Sequence, residues 1–93
     1  MFVRVVRFTD VTAERVQSLV ARIDESGPPP GVAINKLQLI FDEAQGTAVV
    51  LQHFEDEESM RAGAETFAAM DPSETPGRRA SVDMGELKVE RGL

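Results

Sequence analysis

The order of apolar patterns along the chain is the feature that most limits its fold. Alternating strand-like segments give way twice to the 3.6-residue period of an amphipathic helix, in the order β-α-β-β-α-β. Two strand–helix–strand halves of similar length, with no linker between them, are typical of the ferredoxin-like plaited sheet. The sequence therefore predicts an α+β domain in which a four-stranded antiparallel sheet carries two helices on one face.

Both predicted helices have start signals. The first, over 12–26, follows the capping candidate Thr12 and ends at Gly27 and the prolines behind it. Its apolar stripe has the spacing i, i+3, i+4 and i+7 and consists of Val16, Leu19, Val20 and Ile23. The second, over 56–70, begins at Asp56, and Gly63 on its apolar side can allow the helix close to the sheet.

Four apolar segments are predicted to be strands: Phe2–Phe8, Val32–Phe41, Thr47–Phe54 and Ser81–Arg91. The apolar residues of the second segment change parity near Asn35, which indicates a β-bulge. Before the last strand, Asp71–Ala80 is a ten-residue loop containing two prolines. That length is unusual in a compact domain, so the loop is a candidate lid or interaction segment.

Side-chain alternation divides the predicted sheet into two faces. We expect the helices to cover a nearly pure aliphatic set: Val3, Val5, Leu37, Leu39, Phe41, Val49, Leu51, Leu87 and Val89. The opposite parity gives an open face that is mixed but largely apolar: Phe2, Arg4, Val6, Phe8, Ile34, Lys36, Gln38, Ile40, Val50, Gln52, Phe54, Val82, Met84 and Glu86.

An apolar open face of that extent exceeds what monomers usually expose. The sequence therefore predicts a homodimer in which two such faces pack together about a twofold axis. The alternative is a monomer whose long loop or C-terminus folds over the sheet. Only four residues follow Val89, which is too short a tail to cover it.

Length and charge exclude several classes of protein. With 93 residues the chain is expected to form a single domain, 1–93. A net charge of −6 argues against nucleic-acid or anionic-membrane partners. The chain has no cysteine, which excludes disulfides and thiolate metal sites, and it has no long apolar run, so a cytoplasmic location is the default expectation.

The whole pattern resembles the dimeric α+β barrel superfamily, which includes antibiotic-biosynthesis-monooxygenase-like and stress-responsive barrel proteins. The resemblance lies in the opening Phe2–Phe8, the helix entry Phe54–Met60 and the closing Val82–Arg91. It implies a dimer whose two sheets enclose a barrel, with small, often aromatic, molecules bound inside. Some members are cofactor-independent oxygenases and others degrade haem. The chain departs from both patterns because it has no Trp and no Tyr.

Few residues can carry chemistry. His53, the only histidine, is a weak catalytic candidate, and a His hydrogen-bonded near the helix entry is the alternative. One histidine without cysteine leaves carboxylates as the only other strong metal ligands, so neither metal nor cofactor is expected. Arg78 and Arg79 either clamp an anion or form ordinary salt bridges. The candidate ligand-binding residues share the predicted open face: Arg4, Gln38, Gln52, Phe54 and Glu86.

Arg4 stands out among these because charged residues are rarely buried without a partner. We expect it to contact Glu86 or a bound anion or carbonyl, since the first and last strands are neighbours in this fold. Two functions remain open. The chain binds or oxidises a small hydrophobic or aromatic metabolite inside the barrel without a cofactor, or it is a non-catalytic homodimeric interaction module. A ligand-sized cavity favours the first.

Overall fold

The strands and helices follow the predicted order. The computed structural model describes residues 1–93 and contains β1 (Phe2–Thr9), α1 (Ala13–Ser26), β2 (Ile34–Asp42), β3 (Thr47–Phe54), α2 (Glu57–Ala68) and β4 (Arg78–Glu86). All neighbouring strands are antiparallel, in the spatial order β2-β3-β1-β4. The predicted ferredoxin-like α+β fold is therefore confirmed. Neither helix is long and apolar enough to cross a membrane.

The helix signals in the sequence act as expected. The Thr12 hydroxyl accepts a hydrogen bond from the Arg15 amide at 3.2 Å, and an Asp56 carboxylate oxygen accepts one from the Ser59 amide at 2.7 Å. The hydrogen bonds from Ser59 lower the pKa of the Asp56 carboxyl because they stabilise its charged form. Gly27 ends α1 with a positive φ of 67°, a conformation that favours glycine, and its amide donates to the Ile23 carbonyl.

Two strand features depend on neighbouring strands. The β2–β3 register shifts between Ile34 and Lys36, which confirms the bulge expected near Asn35. The last strand was predicted over Ser81–Arg91, but β4 runs from Arg78 to Glu86. The boundary moves because β1 is the only strand that β4 pairs with: Thr9 reaches Arg78 at one end, and the Leu87 amide donates to the Met1 carbonyl at the other.

The core lies between the helices and the face that was predicted to be open. One buried cluster consists of Val6, Phe8, Val11, Ala48 and Val50, and α1 contributes the half-buried Val16 to it. The second consists of Val32, Phe54 and Met60, below α2. The predicted faces of β1, β3 and β4 are therefore inverted, whereas Leu39 and Phe41 of β2 lie on the helix side as expected.

The inversion has a physical reason. Alternation within one strand separates its two faces, but only the register between strands shows which faces of different strands coincide. Leu39 lies opposite Val50, not beside Val49 and Leu51, with which it had been grouped. Ile34 also moves to the helix side, because the bulge reverses the parity there. The face left uncovered carries the half-buried Val3, Val5, Val49 and Leu51.

The segment between α2 and β4 is ordered rather than a ten-residue loop. Pro72–Glu74 form a 3₁₀ turn that Asp71 caps, and β4 begins at Arg78. The Arg15 guanidinium donates to the carbonyls of Pro72 and Thr75, at 3.0 and 2.6 Å. These two hydrogen bonds connect the first turn of α1 to the segment 71–77.

Gly77 and Gly85 provide a matched test of the packing in this region. A β-carbon on Gly77 would collide with the Thr9 carbonyl oxygen and lie 2.8 Å from a Val11 methyl, whereas one on Gly85 would meet nothing within 4 Å. Because the Thr9 atom belongs to the backbone, Gly77→Ala is expected to lower the free energy of unfolding by about 3 kcal/mol. Gly85→Ala should change it by less than about 0.5 kcal/mol. Urea denaturation measures both, and equal stability of the two variants would contradict this packing.

Candidate functional site

The main cavity separates α1 from the sheet. No residue of α1 is fully buried, so the helix covers the sheet without closing onto it. The space between them, here called the α1 cleft, has a volume of about 630 Å³. Its floor includes Arg4, Val50 and Gln52, its roof includes Leu19 and Ile23, and the prolines 28–30 and residues 74–76 also line it. The volume falls within the range of small-molecule sites.

Arg4 is the polar centre of the cleft floor. Its side chain is 3% exposed, although it occupies the middle of a central strand. One guanidinium nitrogen, Nη1, donates to Gln52 Oε1 at 2.8 Å, and the guanidinium carbon lies 5.6 Å from the centre of the Phe67 ring. The Nε–H has no hydrogen-bond partner. Burial lowers the Arg4 pKa, and the nearby positive charge of Arg79 lowers it further.

The sheet register explains how these groups meet. Arg4 and Gln52 are direct cross-strand partners in β1 and β3, so both side chains project from the same face. Phe67 comes from α2, which packs over this part of the sheet. α1 lies farther from the sheet, on the other side of the cleft. An arginine has five N–H donors, more than Gln52 can accept. The arrangement can therefore bind a ligand oxygen on the floor of an otherwise apolar cleft.

The charged residues of the cleft are mostly positive. Arg4, Arg22 and Arg79 line it, together with a single carboxylate, Glu74. The whole chain, in contrast, carries a net charge of −6. The two neighbouring arginines at the start of β4 have different surroundings: Arg78 lies 3.6 Å from an Asp10 carboxylate oxygen, whereas Arg79 lines the cleft.

The structure brings together only part of the predicted ligand-binding set. Arg4 and Gln52 both line the α1 cleft. Phe54 is fully buried in the core, where its ring lies against Gly63. Because Gly63 has no side chain, α2 comes close to the sheet, as the sequence predicted. Gln38 lies on the uncovered face, and the exposed Glu86 pairs with Lys88.

The expected Arg4–Glu86 pair is wrong. β1 and β4 are neighbours, as predicted, but the register places Met84 opposite Arg4 and Glu86 opposite Phe2. Glu86 is at the exposed end of β4, where hydrogen bonding and the charge of Lys88 lower the pKa of its carboxyl. Its partner is therefore a neighbouring lysine rather than the buried arginine.

His53 lies outside the cleft. It is on β3 with Leu51 and Val49 on the uncovered face, so the sheet separates it from Arg4 and Gln52. Its Nε2 is 2.9 Å from Gln38 Oε1. This contact places His53 in a side-chain hydrogen bond next to the helix entry, as the alternative interpretation of this residue expected. No three His, Asp or Glu side chains converge as they would to hold a metal ion.

Sequence reasoning missed the side of the site that α1 provides. The sequence places Leu19 and Ile23 only on the apolar stripe of a helix, and the prolines 28–30 only at its end. Both groups line the cleft because α1 stands off the sheet, a tertiary feature that helix periodicity does not encode. Arg4 and the Arg78–Arg79 pair were the signals in the sequence for the positive charge of the cleft.

Comparisons with solved structures show the same fold over the whole chain. A mutant of MhuD, solved with two manganese protoporphyrin IX molecules bound per active site, is 19% identical with a TM-score of 0.63, and the match covers 100% of both chains. An antibiotic biosynthesis monooxygenase is 11% identical with a TM-score of 0.58, covering 98% of this chain and 100% of the other.

A candidate antibiotic biosynthesis monooxygenase from Deinococcus radiodurans is 13% identical with a TM-score of 0.51, covering 100% of this chain and 96% of the other. No protein-family model matches the sequence. No curated protein matches it either. The comparisons therefore confirm the predicted resemblance at the level of fold.

The Arg4–Gln52 contact can be tested through stability. Gln52→Leu removes the only hydrogen-bond partner of a buried guanidinium, so it should lower the free energy of unfolding by about 2 kcal/mol. Adding Arg4→Met removes the stranded charge, and the double variant should recover most of that loss. A double-mutant cycle by urea denaturation measures the coupling. Additive effects of the two substitutions would show that the contact does not stabilise the sheet.

Proposed function

We propose that this chain binds a small, largely apolar molecule in the α1 cleft. The observation that carries the proposal is the combination of a cavity of about 630 Å³ with a buried arginine on its floor. Apolar walls with a few polar groups that fix orientation are typical of small-molecule sites. Here Leu19, Ile23 and Val50 supply such walls, and Arg4 and Gln52 supply the polar groups.

The fold comparisons support a small ligand. One protein of the same fold is described with manganese protoporphyrin IX in its active site, and another as an antibiotic biosynthesis monooxygenase. Both descriptions concern small-molecule chemistry rather than a protein-interaction module. A cavity of ligand size is also the feature that distinguishes the binding hypothesis from the interaction module.

The side chains of the cleft favour binding over catalysis as the proposed role. Its charged groups are three arginines, whose N–H groups act as hydrogen-bond donors, and Glu74. His53, the candidate base, is on the other side of the sheet. The residues present can therefore hold and orient a ligand, and binding is the role that we assign.

A cleft-filling substitution tests the binding proposal. Ile23→Trp should fill the space below α1 and weaken binding of the neutral aromatic probe N-phenylnaphthylamine at least about tenfold, because the indole occupies the probe's volume. Val20→Trp is the matched control, since Val20 is on the same helix, 42% exposed and outside the cleft. Equilibrium dialysis measures both. Failure of the wild-type protein to bind, or equal binding by both variants, would contradict the proposal.

We also propose that a second copy covers the uncovered sheet face. Val3, Val5, Val49 and Leu51 lie at its centre, and Ile40 beside them is 58% exposed. Four strands of about eight residues span about 19 by 26 Å. The projected area of such a face is about 490 Å², and the side chains standing on it add to the accessible surface that a partner buries. The dimer expected from the sequence is thus proposed through the opposite face of β1 and β3.

Charge substitutions on the two faces test the dimer. Val5→Glu places a carboxylate at the centre of the proposed interface and should yield a monomer at micromolar concentration, because burying an unpaired charge is costly. Met84→Glu is the control, since Met84 is exposed on the helix side of β4. Size-exclusion chromatography with light scattering gives the masses. A monomeric wild-type protein, or a dimeric Val5→Glu variant, would contradict the proposal.

A further inference from the structure

The electrostatic character of the α1 cleft is opposite to that of the chain. Three of the ten Lys and Arg residues line it, against one of the sixteen Asp and Glu residues. Random placement in so acidic a protein would favour carboxylates instead. No carboxylate neutralises the charge of Arg4, since its hydrogen-bond partner is the uncharged Gln52.

Arg4 has capacity for a further acceptor. Only 3% of its surface is exposed, and its Nε–H is a buried donor without a hydrogen-bond partner. Leaving a buried donor of a charged group unpaired is costly. No carboxylate of the chain forms a salt bridge with this residue. Arg4 lines the cleft, so an anionic ligand oxygen there would compensate its charge.

Arg79 brings a second positive charge to the same space. Arg79 is on β4, and its cross-strand partner is Phe8 of β1, the strand that also carries Arg4. Unlike Arg78, which approaches Asp10, Arg79 forms no salt bridge and lines the cleft. Arg4 and Arg79 both line the cleft, and the positive charge of Arg79 adds to the effect of burial in lowering the Arg4 pKa. Two like charges near one cavity are a reason for an anion to bind there.

We propose that Arg4 and Arg79 form an anion subsite in the α1 cleft, which selects apolar molecules that carry one carboxylate group. This inference rests on the proposed small-molecule function and names the ligand class. Planar guanidinium groups match the geometry of a carboxylate and can donate to it in pairs. The apolar walls hold the remainder of the ligand, and its carboxylate supplies the negative charge that no residue of the chain places in a salt bridge with Arg4.

Two fluorescent probes with the same aromatic frame test the subsite. Anilinonaphthalene sulfonate carries one anionic group, which stands in for the carboxylate, and N-phenylnaphthylamine carries none. The wild-type protein should bind the anionic probe at least about tenfold more tightly, since a hydrogen bond to a charged group is worth at least that factor. Arg79→Gln should reduce that preference about tenfold, because it removes one of the two positive charges of the subsite.

Arg78→Gln is the matched control, because it removes the neighbouring positive charge outside the cleft, and it should keep the preference for the anionic probe. Arg79 is exposed, so its substitution is not expected to impair folding, which circular dichroism checks. Equal binding of the two probes by the wild-type protein would overturn the anion subsite but retain the binding function. Binding of neither probe would overturn both. An equal loss in Arg78→Gln would show a general charge effect and also overturn the subsite.

Discussion

β1 pairs with β3 along one edge and with β4 along the other. Its two edges are therefore occupied, and only its two faces remain to be covered. On one face Val6 and Phe8 lie in the core below the helices, and Arg4 continues the same row. On the other face the half-buried Val3 and Val5 project from the side of the sheet that the helices do not cover. Two helices cover only one side of a four-stranded sheet, so the opposite side requires either a partner or exposure to water.

The cleft follows from the way in which the helices share the first face. α2 packs closely, because Gly63 lets it approach the Phe54 ring, and it carries Met60 into the core. α1 is attached mainly at its N-terminal end, through Val16 and the two hydrogen bonds of Arg15. Its C-terminal half therefore lies over Arg4 and Gln52 without filling the space between. Elements with few buried contacts open at low free energy, which suits a helix that admits a ligand.

The sequence predicted those features that depend on local interactions. The caps at Thr12 and Asp56, the bulge near Asn35 and the β-α-β-β-α-β order come from short-range hydrogen bonding and periodicity, and the structure has all of them. The sorting of faces failed because it depends on register between distant strands. Arg4 and Gln52 were recognised as site candidates because they are polar residues within apolar strands. Arg79 and the α1 wall belong to the site only through tertiary placement.

The central claim is that the ligand site lies between α1 and the sheet, not between two sheets. Amide chemical-shift mapping during titration with N-phenylnaphthylamine tests it most directly, because it locates the probe on one side of the sheet or the other. The account predicts the largest shifts in the second half of α1, the segment Gly27–Gly31 and residues 74–79, which surround the cleft. Largest shifts at Val3, Val5, Val49 and Leu51 would place the probe on the uncovered face and contradict the account.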